Sequence, residues 1–212
     1  MAKRLVMLGA GGHAAGLAEI LSAQGRTLIA VISPDTMKTR GPLNNLKRLG
    51  SDDVLLQKYH PDEVDLVNGL GSLPSKDLQW KLYERFTSLG YLFTSVISPH
   101  AILSGYVELG QGVQIMAGVI VQAGARIGDN TLLNTGCIVE HDCCIGPHNH
   151  LAPGASLSGG VTTGICVHIG TGANVIQNLN IGDHAVIGAG TTIARDVPPH
   201  QTLIPARNRI IS

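Results

Sequence analysis

From Ile97 onward the sequence keeps a strict six-residue frame. Its first positions are Ile97, Leu103, Leu109, Ile115, Val121, Ile127, Leu133, Val139, Ile145, Leu151, Leu157, Thr163, Ile169, Val175, Ile181, Ile187 and Ile193, and all but Thr163 are Leu, Ile or Val. Fifth positions such as Val113, Val119, Ala125, Cys137, Cys143, Ala155, Val161 and Ala173 are mostly small or β-branched. No insertion breaks the frame as far as Val197. Neither the 3.6-residue period of an amphipathic helix nor the two-residue alternation of a strand generates a sixfold period. The physical solution is a triangular solenoid, with one hexad per flat side and three per coil. First and fifth residues then point inward and stack on their equivalents in the next coil, so each coil is stable because its neighbours cover it. Gly recurs at the second position (Gly110, Gly128, Gly146, Gly164, Gly170, Gly182 and Gly188), which predicts tight corners at positive φ there.

Composition agrees with such a core. Aromatic residues are only 3% of the chain and Gly numbers 27, so the interior must be built from small and β-branched side chains. The formal net charge is zero and 14% of residues are charged, which argues against a sequence-independent nucleic-acid binder. No apolar run reaches the length of a membrane span, no signal-peptide cleavage site follows Met1, and a cytoplasmic location is expected. Cys137, Cys143, Cys144 and Cys166 lack paired CxxC spacing, so no metal is expected. Cys137 and Cys143 fall instead on inward fifth positions.

The N-terminal part reads differently. Arg4 to Leu8 is a short apolar strand followed by Gly9-Ala-Gly-Gly-His13, a helix over 14–24 and a strand over 27–32. This Rossmann-like βαβ start lets backbone amides approach an anion at a helix N-terminus. A third strand is predicted over 64–68 and a helix over 75–89. The loop fits a dinucleotide fingerprint loosely, but the second strand ends Val31-Ile-Ser-Pro34 and Asp35 comes late for a ribose contact, so a nucleotide-sugar pocket is the better assignment than NAD. The expected organisation is a nucleotide-sugar-binding domain over 1–94, a β-helix over 95–198 and a tail over 199–212.

Within the repeat, Asn134-Thr-Gly-Cys-Ile-Val-Glu-His-Asp-Cys-Cys-Ile-Gly146 breaks the apolar pattern. Glu140, His141 and Asp142 are consecutive, and His148 and His150 follow. Acyl transfer to an amine or hydroxyl needs a base of near-neutral pKa beside the acceptor, and His supplies it. A neighbouring carboxylate fixes the tautomer and stabilises the imidazolium. Glu140 and Asp142 are both adjacent to His141, and spacing alone does not choose between them. His150 and His168 are expected to stack on successive coils, while His148 and His184 are expected on solvated turns.

The Gly-Gly-His opening, the hexads, the NTG-x-x-x-EHDC segment and His150-Leu-Ala-Pro-Gly-Ala155 together resemble the hexapeptide-repeat sugar O/N-acetyltransferases, typified by sialic acid O-acetyltransferases and nucleotide-linked bacillosamine N-acetyltransferases. The resemblance implies a left-handed helix, a homotrimer and acetyl-CoA as co-substrate. It implies that His141 is the general base, with Asp142 raising its basicity. It further implies that His150, Gly159, Thr171 and Ala189 contact acetyl-CoA, and that Asn134 approaches the acceptor sugar from a neighbouring subunit. Gly11, Gly12, His13 and Gly50 would contact the nucleotide sugar. Two departures stand out: Ser33-Pro34 replaces the family's acidic residues, and the C-terminal Gly-x-Pro-Ala-Arg motif survives only as Ile204-Pro-Ala-Arg207. The implied reaction is N-acetylation of a nucleotide-activated amino sugar for surface-glycan or glycoprotein synthesis. O-acetylation of a sialic-acid-like sugar is the alternative within the family, and a non-catalytic solenoid scaffold the alternative outside it.

Overall fold

A computed structural model describes residues 3–34, 41–74 and 77–205; Asp35 and Arg207, singled out above, lie outside them. The chain divides into two compact units, Met1–Pro99 with Gln111–Gln114, and His100–Gly110 with Ile115–Ser212.

The first unit runs β1 (Arg4–Leu8), α1 (Gly12–Ala23), β2 (Leu28–Ile32), β3 (Lys47–Leu49), α2 (Asp52–Lys58), β4 (Val64–Asn68) and α3 (Leu78–Ser88). The four strands form a parallel sheet of order β3-β2-β1-β4, with Met7 of β1 registered between Val31 of β2 and Val67 of β4. Leu5, Val6, Met7 and Leu8 are all buried, as a parallel strand covered on both faces requires. Val6, Leu8, Ala30, Ile32, Leu66, Phe86, Tyr91 and Phe93 belong to one core. Sequence periodicity misses β3 and α2. β3 is a three-residue edge strand carrying Lys47 and Arg48, too short and too polar to show an alternating pattern, and it forms because β2 offers it an unpaired edge.

The second unit is a left-handed parallel β-helix of two-residue strands. Arg126, Cys144, Thr162 and Asn180 are in register on one face, Ile138, Ser156, Asn174 and Thr192 on a second, and Leu132, His150, His168 and Val186 on the third. Each pairing joins residues one coil apart, as the hexad frame requires. Inward positions are dry: Val119, Val121, Ala125, Cys137, Val139, Cys143, Leu151, Ala155 and Leu157 are all buried.

The predicted glycine geometry needs correction. From the hexad of Leu109 to that of Ile187, left-handed φ falls on the fourth residue, as in Gly136, Gly154, Asn130, Asp142, His148, Cys166 and Asn178, and not on the second. Second-position glycines serve a different end. A Cβ on Gly170 would lie 2.6 Å from both Ala189 N and Ile187 O of the next coil, so Gly is required there by close backbone approach.

Thr163, the exception in the frame, also finds its reason. Asn149 points inward and donates from Nδ2 to Thr163 Oγ1 at 2.5 Å, while its Oδ1 accepts the Val167 N–H at 2.6 Å. Thr163 Oγ1 accepts the Gly146 N–H at 3.1 Å, and Thr131 Oγ1 donates to Gly146 O at 2.9 Å. The polar core residues thus satisfy one another and the corner backbone. Asn149→Ala leaves the Val167 N–H and the Thr163 hydroxyl short of partners in a dry core. A loss of about 2–4 kcal/mol is expected, read as a lowered urea midpoint at unchanged far-UV circular dichroism.

Candidate functional site

His141 and Asp142 occupy the third and fourth positions of the hexad that starts at Val139, on an edge of the triangular prism. Asp142 takes φ +61, a conformation that Asp tolerates better than most residues. The turn is pinned from both neighbouring coils: Asp142 N–H donates to Ala123 O at 3.0 Å and Gly160 N–H to His141 O at 2.9 Å. That backbone brings the two side chains together. His141 Nδ1 lies 2.8 Å from Asp142 Oδ2. A carboxylate accepts, so the ring carries its proton on Nδ1 and presents Nε2 as a bare lone pair. Of the two adjacent carboxylates, Asp142 is the one the structure brings into hydrogen-bond contact with the ring.

The floor of this site is glycine. A Cβ on Gly159 would come within 2.6 Å of both His141 Cε1 and Nε2, so the imidazole lies directly against the Gly159 backbone. On the other side, a Cβ on Gly124 would meet Asp142 Oδ1 at 2.5 Å. Two glycines one coil either side let the pair lie flat along the edge. The side chains remain 65% and 72% exposed, which leaves room for reactants at Nε2.

His150 lies on the third face and is buried. Asn134 Nδ2 lies 3.3 Å from His150 Nε2, while Asn134 Oδ1 accepts the Thr135 N–H at 2.8 Å. Because Nδ2 can only donate, His150 Nε2 is the acceptor of that bond. The expected stacking of His150 and His168 is present, with ring centroids 4.8 Å apart at 78°. Burial pushes the His168 pKa down and favours its neutral form. His148 and His184 sit at left-handed corners and are half-buried, less open than solvated turns would be.

Thr171 and Ala189 lie on a different edge, where Gly172 N–H donates to Pro153 O and Gly190 N–H to Thr171 O. The residues assigned to acetyl-CoA thus occupy two edges and a face of one prism: Gly159 beneath His141, His150 on the third face, and Thr171 and Ala189 on the far edge. Among the described residues, no three His, Cys, Asp or Glu side chains gather into a group that could hold a metal ion.

The first unit carries a cavity of about 850 Å³. Its wall includes the four sequence-predicted residues Gly11, Gly12, His13 and Gly50. Gly11 caps α1 without a side-chain hydrogen bond, so the first-turn N–H groups keep their capacity to bind an anion. His13 is fixed by a short chain: Gln114 Nε2 donates to Asn68 O at 2.6 Å, which turns Gln114 Oε1 toward His13 Nε2, also at 2.6 Å. Nε2 is therefore the protonated nitrogen, and burial lowers the His13 pKa and holds the ring neutral. Sequence reading missed the side of the wall that the later helices supply. Asp52, Asp53, Leu78, Leu82 and Arg85 arrive from α2 and α3, and no local motif marks them because the sheet order alone brings those helices to the cavity.

Comparison with known proteins agrees with both halves. Residues 124–159 match the bacterial transferase hexapeptide (six repeats) family, and residues 4–86 match the PglD N-terminal domain. GDP-perosamine N-acetyltransferase from Caulobacter crescentus, crystallised as its H141A mutant with CoA and GDP-perosamine, superimposes with a TM-score of 0.84 at 32% identity, over 95% of this chain and 93% of that one. The chain belongs to the hexapeptide-repeat sugar acetyltransferases. The acetyltransferase domain of PglB from Neisseria gonorrhoeae, another such acetyltransferase, gives a TM-score of 0.83 at 32% identity, over 95% of this chain and 96% of that domain. WeeI from Acinetobacter baumannii shares the fold, with a TM-score of 0.82 at 23% identity over 99% and 100% of the two chains. No curated protein matches the chain. No helix among the described residues of this acetyltransferase is long and apolar enough to cross a membrane.

In the acetyltransferase, Gly159→Ala tests the floor of the site. The new methyl group must displace the His141 ring, while φ at this position is ordinary and the fold has no reason to yield. Acetyl-transfer kcat is expected to fall about tenfold or more with little change in thermal midpoint.

Proposed function

We propose that the chain transfers an acetyl group from acetyl-CoA to the amine of a nucleotide-activated amino sugar, a step in surface-glycan or glycoprotein synthesis. The His141–Asp142 pair carries this reading. His141 Nε2 takes a proton from the amine as its nitrogen forms a bond to the thioester carbonyl carbon. The tetrahedral intermediate then collapses, the C–S bond breaks, and the departing CoA thiolate recovers the proton from the imidazolium. Asp142 holds the Nδ1–H tautomer that makes Nε2 the base, and its charge stabilises the imidazolium between the two steps.

The cavity of the first unit takes the nucleotide sugar, with Gly11, Gly12, His13 and Gly50 against it. Acetyl-CoA takes His150, Gly159, Thr171 and Ala189. These four are spread over two edges and a face of the same prism, so a single groove holds all of them only where two copies pack side by side. That geometry supports a homotrimer in which Asn134 of one copy approaches the sugar held by another. The names of the similar structures, a GDP-perosamine N-acetyltransferase bound to CoA and an acetyltransferase domain bound to acetyl coenzyme A, support the same co-substrate and acceptor class. Both co-substrates are water-soluble anions, which accords with a cytoplasmic location.

The test is a thiol-release assay with acetyl-CoA and UDP-, GDP-, dTDP- and CMP-linked amino sugars. Turnover of hydroxyl acceptors alone would overturn N-acetylation in favour of the O-acetyl alternative. His141→Ala is expected to lower kcat by about 10²–10⁴-fold with acetyl-CoA affinity retained. Asp142→Asn removes the carboxylate from Nδ1 and is expected to lower kcat by about tenfold to a hundredfold, less than loss of the base itself, since the pair is open to solvent. Wild-type rates in His141→Ala would return the solenoid to a scaffold or ligand-binding role.

A further inference from the structure

The cavity of the first unit has an ionic corner that the acetyl-transfer chemistry does not use. Arg85, near the end of α3, donates from Nη1 to Asp52 Oδ2 at 2.7 Å, and its Nη2 lies 3.6 Å from Asp53 Oδ1. The two carboxylates differ in how far they are committed. Asp52 is 27% exposed and fixes the guanidinium, whereas Asp53 is 78% exposed and only loosely engaged. All three residues line the cavity, together with the apolar side chains of Ile32, Leu78 and Leu82. Asp53 keeps acceptor capacity and Arg85 keeps N–H donors that a ligand can use.

A flat base among apolar side chains, read on its edge by a carboxylate and a guanidinium, is the ligand such a wall fits. The bases differ sharply on that edge. Guanine places two donors side by side, N1–H and the 2-amino group, which match the two oxygens of a carboxylate. Its O6 and N7 acceptors match a guanidinium. Uracil and thymine present one N–H between two carbonyl oxygens, and a carboxylate repels both. Adenine and cytosine present one amine beside a bare ring nitrogen, which again faces the carboxylate with an acceptor. The N–H groups at the start of α1, which no side chain caps, offer a pyrophosphate donors that do not depend on the base.

We propose that Asp53 and Arg85 read the base of the bound nucleotide and select guanine, Asp53 through N1–H and the 2-amino group and Arg85 through O6. This rests on the cavity being the nucleotide site. Asp52 is a positioning residue that holds the guanidinium in place.

Calorimetric titration of the full chain with GDP, IDP, ADP, UDP and dTDP separates the possibilities. GDP is expected to bind about tenfold or more tightly than UDP, and about tenfold more tightly than IDP, which differs from it only by lacking the 2-amino group. Asp53→Asn is expected to bring the GDP and IDP affinities close together and to tighten UDP binding, because the charge that repels the uracil carbonyl oxygens is gone, with a thermal melt confirming that the variant is folded. Tighter binding of UDP or dTDP than GDP overturns the guanine assignment, as does an unchanged GDP-to-IDP ratio in Asp53→Asn. Failure of every nucleotide to bind, with acetyl-CoA still bound, would instead overturn the nucleotide reading of the cavity and the guanine assignment with it.

Discussion

Coil-on-coil stacking is the interaction on which the second unit depends. Every side of the prism hands its backbone N–H groups to the coil beside it, as Arg126 does to Cys143 O at 2.9 Å and Cys144 to Val161 O at 2.9 Å. No coil could hold its two-residue strands by itself, because so short a strand gains too little to offset the entropy of ordering it. The stack leaves two kinds of position for chemistry, outward residues on the faces and residues at the corners. The inward positions are committed to packing, and the polarity of Asn149, Thr131 and Thr163 is taken up by hydrogen bonds with one another and with the corner backbone.

The same regularity explains how a rigid, repetitive body carries a reactive group. The corner bearing His141 has its backbone fixed by hydrogen bonds to the coils on either side, so the imidazole is oriented without a surrounding pocket. Asp142 occupies the left-handed position that elsewhere holds Gly, Asn, His or Cys, and its carboxylate is turned back onto the ring. Gly124 and Gly159 clear the space. An imidazole held this way costs the fold little, since the exchange of corner side chains touches no core residue.

The first unit follows other rules. Its parallel sheet buries both faces of β1 and leaves the loops after the strands to line one cavity, where an uncapped helix start meets a neutral, hydrogen-bonded His13. The Arg85 and Asp52 contact joins α3 to α2 and supplies a polar edge to a wall that is otherwise apolar.

Much of this protein was legible in its sequence. The hexad frame determined the prism, its inward residues and its coil length, because a fixed period in a chain whose sides are equivalent admits one stacking. The Glu-His-Asp interruption marked the corner where His141 and Asp142 meet, and Gly9 to His13 marked the turn that opens α1. Tertiary structure alone decided the rest. It chose Asp142 over Glu140, since orientation at a corner depends on φ and not on adjacency. It moved left-handed geometry from the second to the fourth residue of the hexad, since close passage of the next coil and a turn both demand glycine and sequence does not tell them apart. It brought Asp52, Asp53 and Arg85 to one wall, a meeting set by the strand order β3-β2-β1-β4 that no local pattern encodes.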